Sequence, residues 1–227
     1  IRLSLVGSEM CIRDSVADNR VTRVVMDHMP PEFGPTATPE QIAQLAHGIG
    51  LDADAITATG WPVQVVSTGV RQLFVPVRSL RDIQALSPKK QDTNTLSQVL
   101  AALDPDTHCH ECVMVLTVEA TEYTNSTVHT RLFAPGISVP EDPATGSASG
   151  GLGAYMVRYG IVPATAPTTH IMSEQGIEMG RPSVIAIEVD GSPDQISMVR
   201  VGGSVVPMIE GVPVSYTHLR AHETKAN

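Results

Sequence analysis

The residues best suited to acid/base chemistry lie between Val139 and Gly151, in the stretch VPEDPATGSASGG. Pro140 and Pro143 fix their own φ angles, and a residue that precedes a proline is held out of the helical region. Asp142 is therefore presented rigidly between the two prolines. A carboxylate fixed in this way could take up or donate a proton on a bound molecule.

The small residues after Asp142 predict a helix that begins near Thr145. The first turn of a helix carries unpaired backbone N–H groups, which bind carboxylate or phosphate. Gly146, Ser147 and Ala148 are small enough for a ligand to touch that backbone. Hydrogen bonding to the helix start favours the ionised form of Asp142, whereas a bound anion and desolvation favour the protonated form, and the sequence leaves both open. The structural alternative is a helix start capped by Thr145 or Asp142, with no ligand.

Further residues could contribute to the same site. A turn at Thr68 and Gly69 offers backbone groups, although the same residues also suit a simple tight turn. Arg181 offers a cation to a carboxylate, although an arginine in an exposed turn needs no ligand. Glu141 and Glu174 are candidates for a second carboxyl group of an acid/base pair, but solvated surface acids are commoner.

Two other functions are consistent with this stretch. A serine hydrolase would use Ser147 as its nucleophile and would need a nearby histidine, for which His129 and His170 are the candidates. A non-catalytic binding protein would keep only the anion-binding backbone. The segment GSASG has Ala148 where the G-x-S-x-G motif requires serine, and no P-loop lysine follows it.

Cys109 and Cys112 form a C-x-x-C pair within the segment HCHEC. One such pair supplies too few ligands for the usual four-cysteine zinc site, and a thioredoxin-like pair opens a helix. Here the strand-like run VMVLTVEA follows. We therefore expect two reduced thiols at the entrance to a strand, and no metal.

The two ends of the chain read unlike the rest and are related to each other. With permitted codons, the DNA for residues 5–14 has a reverse complement that encodes VSYTHLRAHE, the sequence of residues 214–223. Such a pair resembles translated sequencing-adapter DNA on either side of a gene fragment. We expect residues 1–15 and 214–227 to be adapter-like and no part of the native fold.

Composition limits the classes of partner. The 227 residues include 24 acidic and 15 basic side chains, a net charge of −9, with no basic cluster. Nucleic acid and anionic membrane surfaces are poor partners for such a protein. No apolar run approaches the roughly 20 residues that a membrane span needs. The expectation is a cytoplasmic enzyme.

The sequence predicts that many strands and few helices position these residues. The capping box at Thr38–Gln41 begins one helix, and helical spacing recurs in residues 79–86 and 93–103 and after Thr145. MPPEFGP is predicted as a connector, and a turn is predicted at Gly202–Gly203. Alternating or β-branched runs predict strands at residues 20–27, 62–68, 72–77, 112–120, 127–133, 168–174, 183–189, 196–201 and 204–210. This pattern favours the α+β class with a mixed or antiparallel sheet.

The segment FAPGISVPEDPATGSASGGLGAYMVRYG resembles the phenazine-biosynthesis PhzF-like family, as do EQGIEMGRPS, VGGSVVP and, more weakly, VVSTGVRQLFVPV. The resemblance implies the diaminopimelate epimerase-like fold, in which two similar α+β domains each curl a mixed sheet around a central helix. It implies a cofactor-independent isomerase or epimerase that transfers a proton on a small carboxylate-bearing metabolite. Members include an isomerase of trans-2,3-dihydro-3-hydroxyanthranilate. The resemblance also implies a homodimer.

By this resemblance Asp142 is the acidic active-site residue of the second domain, and Gly146 and Ser147 contact the substrate. Thr145, Ala148, Thr68 and Gly69 are expected beside them. The cysteine that related racemases use in this loop is absent, and nothing in residues 16–27 resembles the family's principal acid/base glutamate or its Gly-His-Pro segment. We expect an inactive fragment with a first-domain remnant at 16–34, the second domain at 35–203 and a strand that returns to the first domain at 204–213.

Overall fold

The computed structural model describes residues 3–4, 11–17, 20–105, 112–121, 125–134 and 137–206. Its α-helices are α1 (Pro39–Ile49), α2 (Ala53–Thr57), α3 (Leu80–Gln84), α4 (Thr93–Leu103) and α5 (Gly146–Arg158), with a 3₁₀ turn at Pro88–Lys90. Its strands are β1 (Leu3–Ser4), β2 (Cys11–Ala17), β3 (Arg20–Asp27), β4 (Glu32–Thr36), β5 (Gln64–Ser67), β6 (Arg71–Pro76), β7 (Val113–Thr117), β8 (Val128–Ala134), β9 (Val139–Asp142), β10 (Thr168–Gln175), β11 (Ser183–Ser192) and β12 (Gln195–Ser204).

The described strands form one mixed sheet in the order β1-β2-β3-β12-β11-β10-β8-β7-β6-β5-β4, with β9 paired to β8 outside this path. The pairs β6/β7 and β8/β10 are parallel, and the other neighbours are antiparallel. This arrangement confirms the predicted α+β class with a mixed sheet.

Helix α5 lies at the centre of the curled sheet. It packs against β5 and β6 on one side and against β10, β11 and β12 on the other. Its residues from Ala148 to Val157 are all buried, and Leu152 and Tyr155 join Phe74 and Ile187 in the largest apolar cluster. A helix that is buried all round must be covered on every side, and the curl of the sheet provides that cover.

Helices α1 and α4 cover the outer face of β5–β8. Leu45 and Leu96 pack there against Leu73 and Val115 in a second apolar cluster. Strands β5, β7 and β8 are consequently buried on both faces, which explains continuous apolar runs such as VMVL. In the described part of the chain, no helix combines the length and the apolar character needed to cross a membrane.

Most of the predicted elements are confirmed. Strand β3 and helix α4 have the predicted bounds, and the capping box of α1 is formed by Thr38 and Gln41. The turn predicted at Gly202–Gly203 is wrong, because both residues lie within β12 and pair with β3. A Cβ atom at Gly202 would lie only 3.0 Å from the Cα of Val25, so close strand approach explains this glycine.

Some predictions fall on residues that the structure does not describe. Cys109 lies there, whereas Cys112 directly precedes β7. Of the predicted returning strand at 204–213, only residues 204–206 are described, and Ser204 ends β12. The segment predicted as a first-domain remnant contains β3, which pairs with β12 and β2.

Candidate active site at the start of helix α5

Strand β9 separates the two acids of the opening motif. It pairs with the second half of β8, where Leu132 faces Asp142, and Pro140 is accommodated on this edge strand. Since successive side chains of a strand point to opposite faces, Glu141 and Asp142 diverge. Asp142 turns towards the start of α5, and Glu141 turns towards Arg131 on β8.

Glu141 forms a buried ion pair with Arg131. The guanidinium donates from Nε to Oε1 at 2.7 Å and from Nη2 to Oε2 at 2.8 Å, and the side chains are only 3% and 7% exposed. Nη1 of Arg131 donates to the carbonyl oxygens of Ile83 and Leu86. Glu141 is thus not a solvated surface acid, and its carboxylate pairs with Arg131 and not with Asp142.

Asp142 is held by a neighbour on the far side of the Pro143 turn. The hydroxyl of Thr145 donates to its Oδ2 at 2.5 Å. The side chain of Gln175, at the end of β10, contacts both ends of the same turn, because it bonds to the carbonyl of Asp142 and to the backbone N–H and hydroxyl of Thr145. The rigidity predicted from the two prolines is therefore reinforced by a glutamine far along the chain.

The first turn of α5 offers backbone donors next to Asp142. Thr145 is the N-cap residue, but its side chain makes no capping bond. The N–H of Ser149 bonds to the carbonyl of Thr145, and within the described residues the N–H groups of Gly146, Ser147 and Ala148 have no acceptor. The alternative of a side-chain-capped helix start is therefore wrong for Thr145 and Asp142. Three such donors at a helix start have the chemistry that binds an anion.

The small residues of the motif are explained by two different surroundings, open space at Gly146 and close packing at Gly150. A Cβ atom at Gly146 would meet nothing within 4 Å, so this residue borders open space. At Gly150 the added atom would lie 2.5 Å from Oγ1 of Thr68 and closer still to Nδ1 of His28. The side chain of Ala148 belongs to the apolar core, so only its backbone can serve a ligand.

The turn between β5 and β6 lies against helix α5 at Gly150. Thr68 is 2% exposed and its Oγ1 lies 3.1 Å from Nδ1 of His28, whereas Gly69 is exposed with φ of 123°. His28, which directly follows β3, lies against Gly150 and was not among the predicted site residues. Burial lowers the pKa of His28, and a backbone hydrogen bond with Thr68 and the nearby Asp27 only partly oppose this.

A buried network of charged side chains surrounds His129 on strand β8. Nδ1 of His129 lies 2.7 Å from Oε1 of Glu174, and its Nε2 lies 3.2 Å from Oε1 of Glu178. Burial would lower the pKa of His129, but the nearby carboxylates of Glu178 and Glu174 outweigh it and raise the pKa. Glu174 also accepts from the backbone and hydroxyl of Thr121. Each nitrogen of His129 thus lies within ion-pair distance of a carboxylate oxygen, at 2.7 Å and 3.2 Å.

None of the described histidines forms a hydrogen bond with Ser147. His129 faces its glutamates, His28 faces Thr68, and His170 is exposed on β10. This observation removes the support for Ser147 as an activated nucleophile. Arg181 is likewise exposed, and its backbone closes the turn after Gly176.

Comparisons with known proteins show what the chain as a whole is similar to. The family model described as phenazine biosynthesis-like protein matches residues 5–211. An uncharacterized isomerase of Escherichia coli K12 is 29% identical over 184 residues, which is 81% of this chain and 58% of that protein. The trans-2,3-dihydro-3-hydroxyanthranilate isomerase of Pseudomonas fluorescens is 30% identical over 171 residues, covering 73% of this chain and 54% of that protein.

Solved structures are similar over most of the chain. A predicted epimerase from Pseudomonas aeruginosa is 27% identical with a TM-score of 0.66, over 89% of this chain and 62% of that one. A PhzF-family protein from Bacillus anthracis has a TM-score of 0.69 at 24% identity, over 86% of this chain and 61% of that one, and shows the shared fold. The chain spans little more than half the length of the curated relatives named above.

Proposed function

Because this chain belongs to the phenazine biosynthesis-like protein family, we propose that it forms part of a cofactor-independent isomerase or epimerase that moves a proton on a small carboxylate-bearing molecule. Asp142 acts as an acid/base group in this proposal. The backbone at Gly146 and Ser147 binds the carboxylate of the substrate. The observation that carries the proposal is the juxtaposition of a fixed carboxylate with three acceptor-free N–H groups at the start of α5.

The chemistry follows from the charges that develop. Removing a proton next to a carboxylate places extra negative charge on the substrate, and aligned backbone donors at a helix start stabilise that charge without reorganising. A carboxylate beside them can take the proton up and return it at another carbon, so the net reaction is an isomerisation. The names of the relatives, which are isomerases and an epimerase, support this reaction class.

We further propose that a second acid/base group comes from the part of the relatives that this chain does not match. Among the described residues, Asp142 is the carboxylate held at the start of α5, whereas Glu141, Glu174 and Glu178 are committed to buried cations and donors. On this proposal the chain by itself does not turn over substrate. The homodimer implied by the family resemblance stays a prediction.

Solvent deuterium incorporation tests the reaction directly. We expect a chain extended to the length of its relatives to exchange substrate hydrogen for deuterium, with the substrate of the Pseudomonas fluorescens relative as the first compound tried. Loss of one acid/base group costs roughly 10²–10⁴ in rate, so Asp142→Asn should abolish most exchange. Asp194→Asn is the matched control, because the side chain of Asp194 is 99% exposed.

Two results would contradict the proposal. Wild-type exchange rates in the Asp142→Asn variant would remove Asp142 from the mechanism, and full activity of the present chain would remove the need for a second acid/base group from outside it. A non-catalytic anion-binding protein gives a third pattern, in which Asp142→Asn binds the ligand as tightly as before and no variant shows exchange. Calorimetric binding measured beside deuterium uptake separates these cases.

A further inference from the structure

Gln175 is buried completely beneath the turn that carries Asp142. Its Nε2 donates to the carbonyl oxygen of Asp142 at 2.7 Å and to Oγ1 of Thr145 at 2.9 Å. Its Oε1 accepts from the backbone N–H of Thr145 at 3.2 Å. One side chain thus bonds to the backbone on both sides of the intervening Pro143 and Ala144.

The orientation of the Gln175 carboxamide is dictated by its backbone partners. A carbonyl oxygen can only accept a hydrogen bond, so the group facing Asp142 must be the NH₂. A backbone N–H can only donate, so the group facing it at Thr145 must be the carboxamide oxygen. The reversed orientation would place two acceptors and two donors against each other in a buried site, which is costly. The second Nε2 hydrogen is therefore directed at Oγ1 of Thr145.

This orientation sets the direction of the next hydrogen bond. The hydroxyl of Thr145 has one hydrogen, and it already accepts from Gln175. Thr145 is 8% exposed, so a hydroxyl hydrogen without an acceptor would be unfavourable. The acceptor in reach is Oδ2 of Asp142, at 2.5 Å. Oδ2 is thereby fixed as an acceptor, and among the described residues Oδ1 receives no hydrogen bond.

We infer that Gln175 is a positioning residue of this site, which orients the Thr145 hydroxyl so that Oδ2 of Asp142 is occupied and Oδ1 is the oxygen left to exchange a proton with a substrate. This inference rests on the proposed function. It also reassigns Thr145, because the N–H, hydroxyl and carbonyl of this residue are all engaged inside the protein rather than offered to a ligand. Gly146 and Ser147 keep the ligand-binding role.

The orientation can be tested in this chain without any substrate, by NMR of isotope-labelled protein. We expect a slowly exchanging Thr145 hydroxyl proton with a nuclear Overhauser effect to the β-protons of Asp142. Gln175→Met keeps the length and packing of the side chain but removes all three hydrogen bonds. The hydroxyl signal should then be lost, and exchange of the Thr145 amide should become about tenfold faster.

Two further variants and a control keep the test decisive. Thr145→Ser should retain a hydroxyl signal near Asp142, and Thr145→Val should lose it. Gln64→Met replaces another buried glutamine that both donates and accepts, to Gly34 and from Tyr159, and should leave the Thr145 signals unchanged. A Thr145 hydroxyl that keeps its contact with Asp142 in the Gln175→Met variant would overturn the inference.

The extended chain gives the second readout. Gln175→Met should lower kcat at least tenfold while KM changes less than twofold. The double variant with Thr145→Val should lose no more kcat than the worse single variant, because both substitutions act through one hydrogen bond. Additive losses would overturn the shared pathway. If the NMR pattern is as expected but no variant or wild type shows exchange, the proposed function fails and the orientation by Gln175 stands.

Discussion

Removing the negative charge of Glu141 should destabilise the fold strongly, although Glu141 lies next to the site and not in it. In Glu141→Gln the guanidinium of Arg131, 3% exposed, keeps its bonds to the carbonyls of Ile83 and Leu86 but loses its bidentate carboxylate. Breaking one partner of a buried pair costs about 3–5 kcal/mol. Glu178 lies 3.8 Å from Nε of Arg131 and offsets part of the charge, so we expect a loss of about 3 kcal/mol.

Urea unfolding followed by far-ultraviolet circular dichroism measures this loss. With a slope of about 2 kcal/mol per molar urea, the midpoint should fall by about 1.5 M. The melting temperature should fall by roughly 6–12 °C for a domain of this size. Because a buried pair is poorly screened, the difference from wild type should persist at 0.5 M salt.

The control is an ion pair of the same chemistry at the surface. Asp194 lies 3.6 Å from Arg158, with side chains 99% and 42% exposed. Asp194→Asn should change the free energy of unfolding by less than about 0.5 kcal/mol. If Glu141→Gln behaves like this control, the Arg131 charge is solvated in solution and the argument from burial is refuted.

Two further perturbations follow from the same structure. The pKa of His129 is raised in the folded state above the ordinary 6.5, so its stabilising contribution is complete below pH 6.5 and is lost as pH rises through the folded pKa. The free energy of unfolding should therefore fall more between pH 6 and pH 9 for wild type than for His129→Gln, and parallel curves would contradict this. Gly150→Ala places a Cβ 2.5 Å from Oγ1 of Thr68 and should cost about 1–3 kcal/mol in urea unfolding. Gly146→Ala meets nothing within 4 Å and should leave stability within about 0.5 kcal/mol, so equal losses in the two variants would refute the two-cause explanation of the glycines.

The elements that could be predicted are those with local signals. The capping box at Thr38 fixes where α1 begins, and the alternation in Arg20–Asp27 gives the bounds of β3. The family resemblance could be recognised because the EDPATGSA and EQGIEMGRPS segments each lie together in sequence. The family match over residues 5–211 confirms it. Asp142 and the start of α5 could be named as a candidate site for the same reason.

The features that were missed depend on pairing across the chain. Strand β4 was predicted as a connector because MPPEFGP is rich in proline, yet Glu32 and Phe33 pair with β5 at the edge of the sheet. Strand β9 has only four residues and is recognisable as a strand by its pairing with β8. The partners of Glu141 and Thr145 lie 10 and 30 residues away, and no local pattern identifies them.

The two most recognisable motifs of the chain are physically one structure. Gly176 follows Gln175 with φ of 79°, and a Cβ at this position would lie 2.6 Å from the carbonyl oxygen of Pro143. Ser183 donates to that same carbonyl at 2.6 Å. EQGIEMGRPS therefore forms the floor on which the turn after Asp142 rests, with glycine required both by its φ and by the close backbone. A substitution in that floor should act on the site as directly as one in the turn, because the geometry of Asp142 is set by contacts from beneath it.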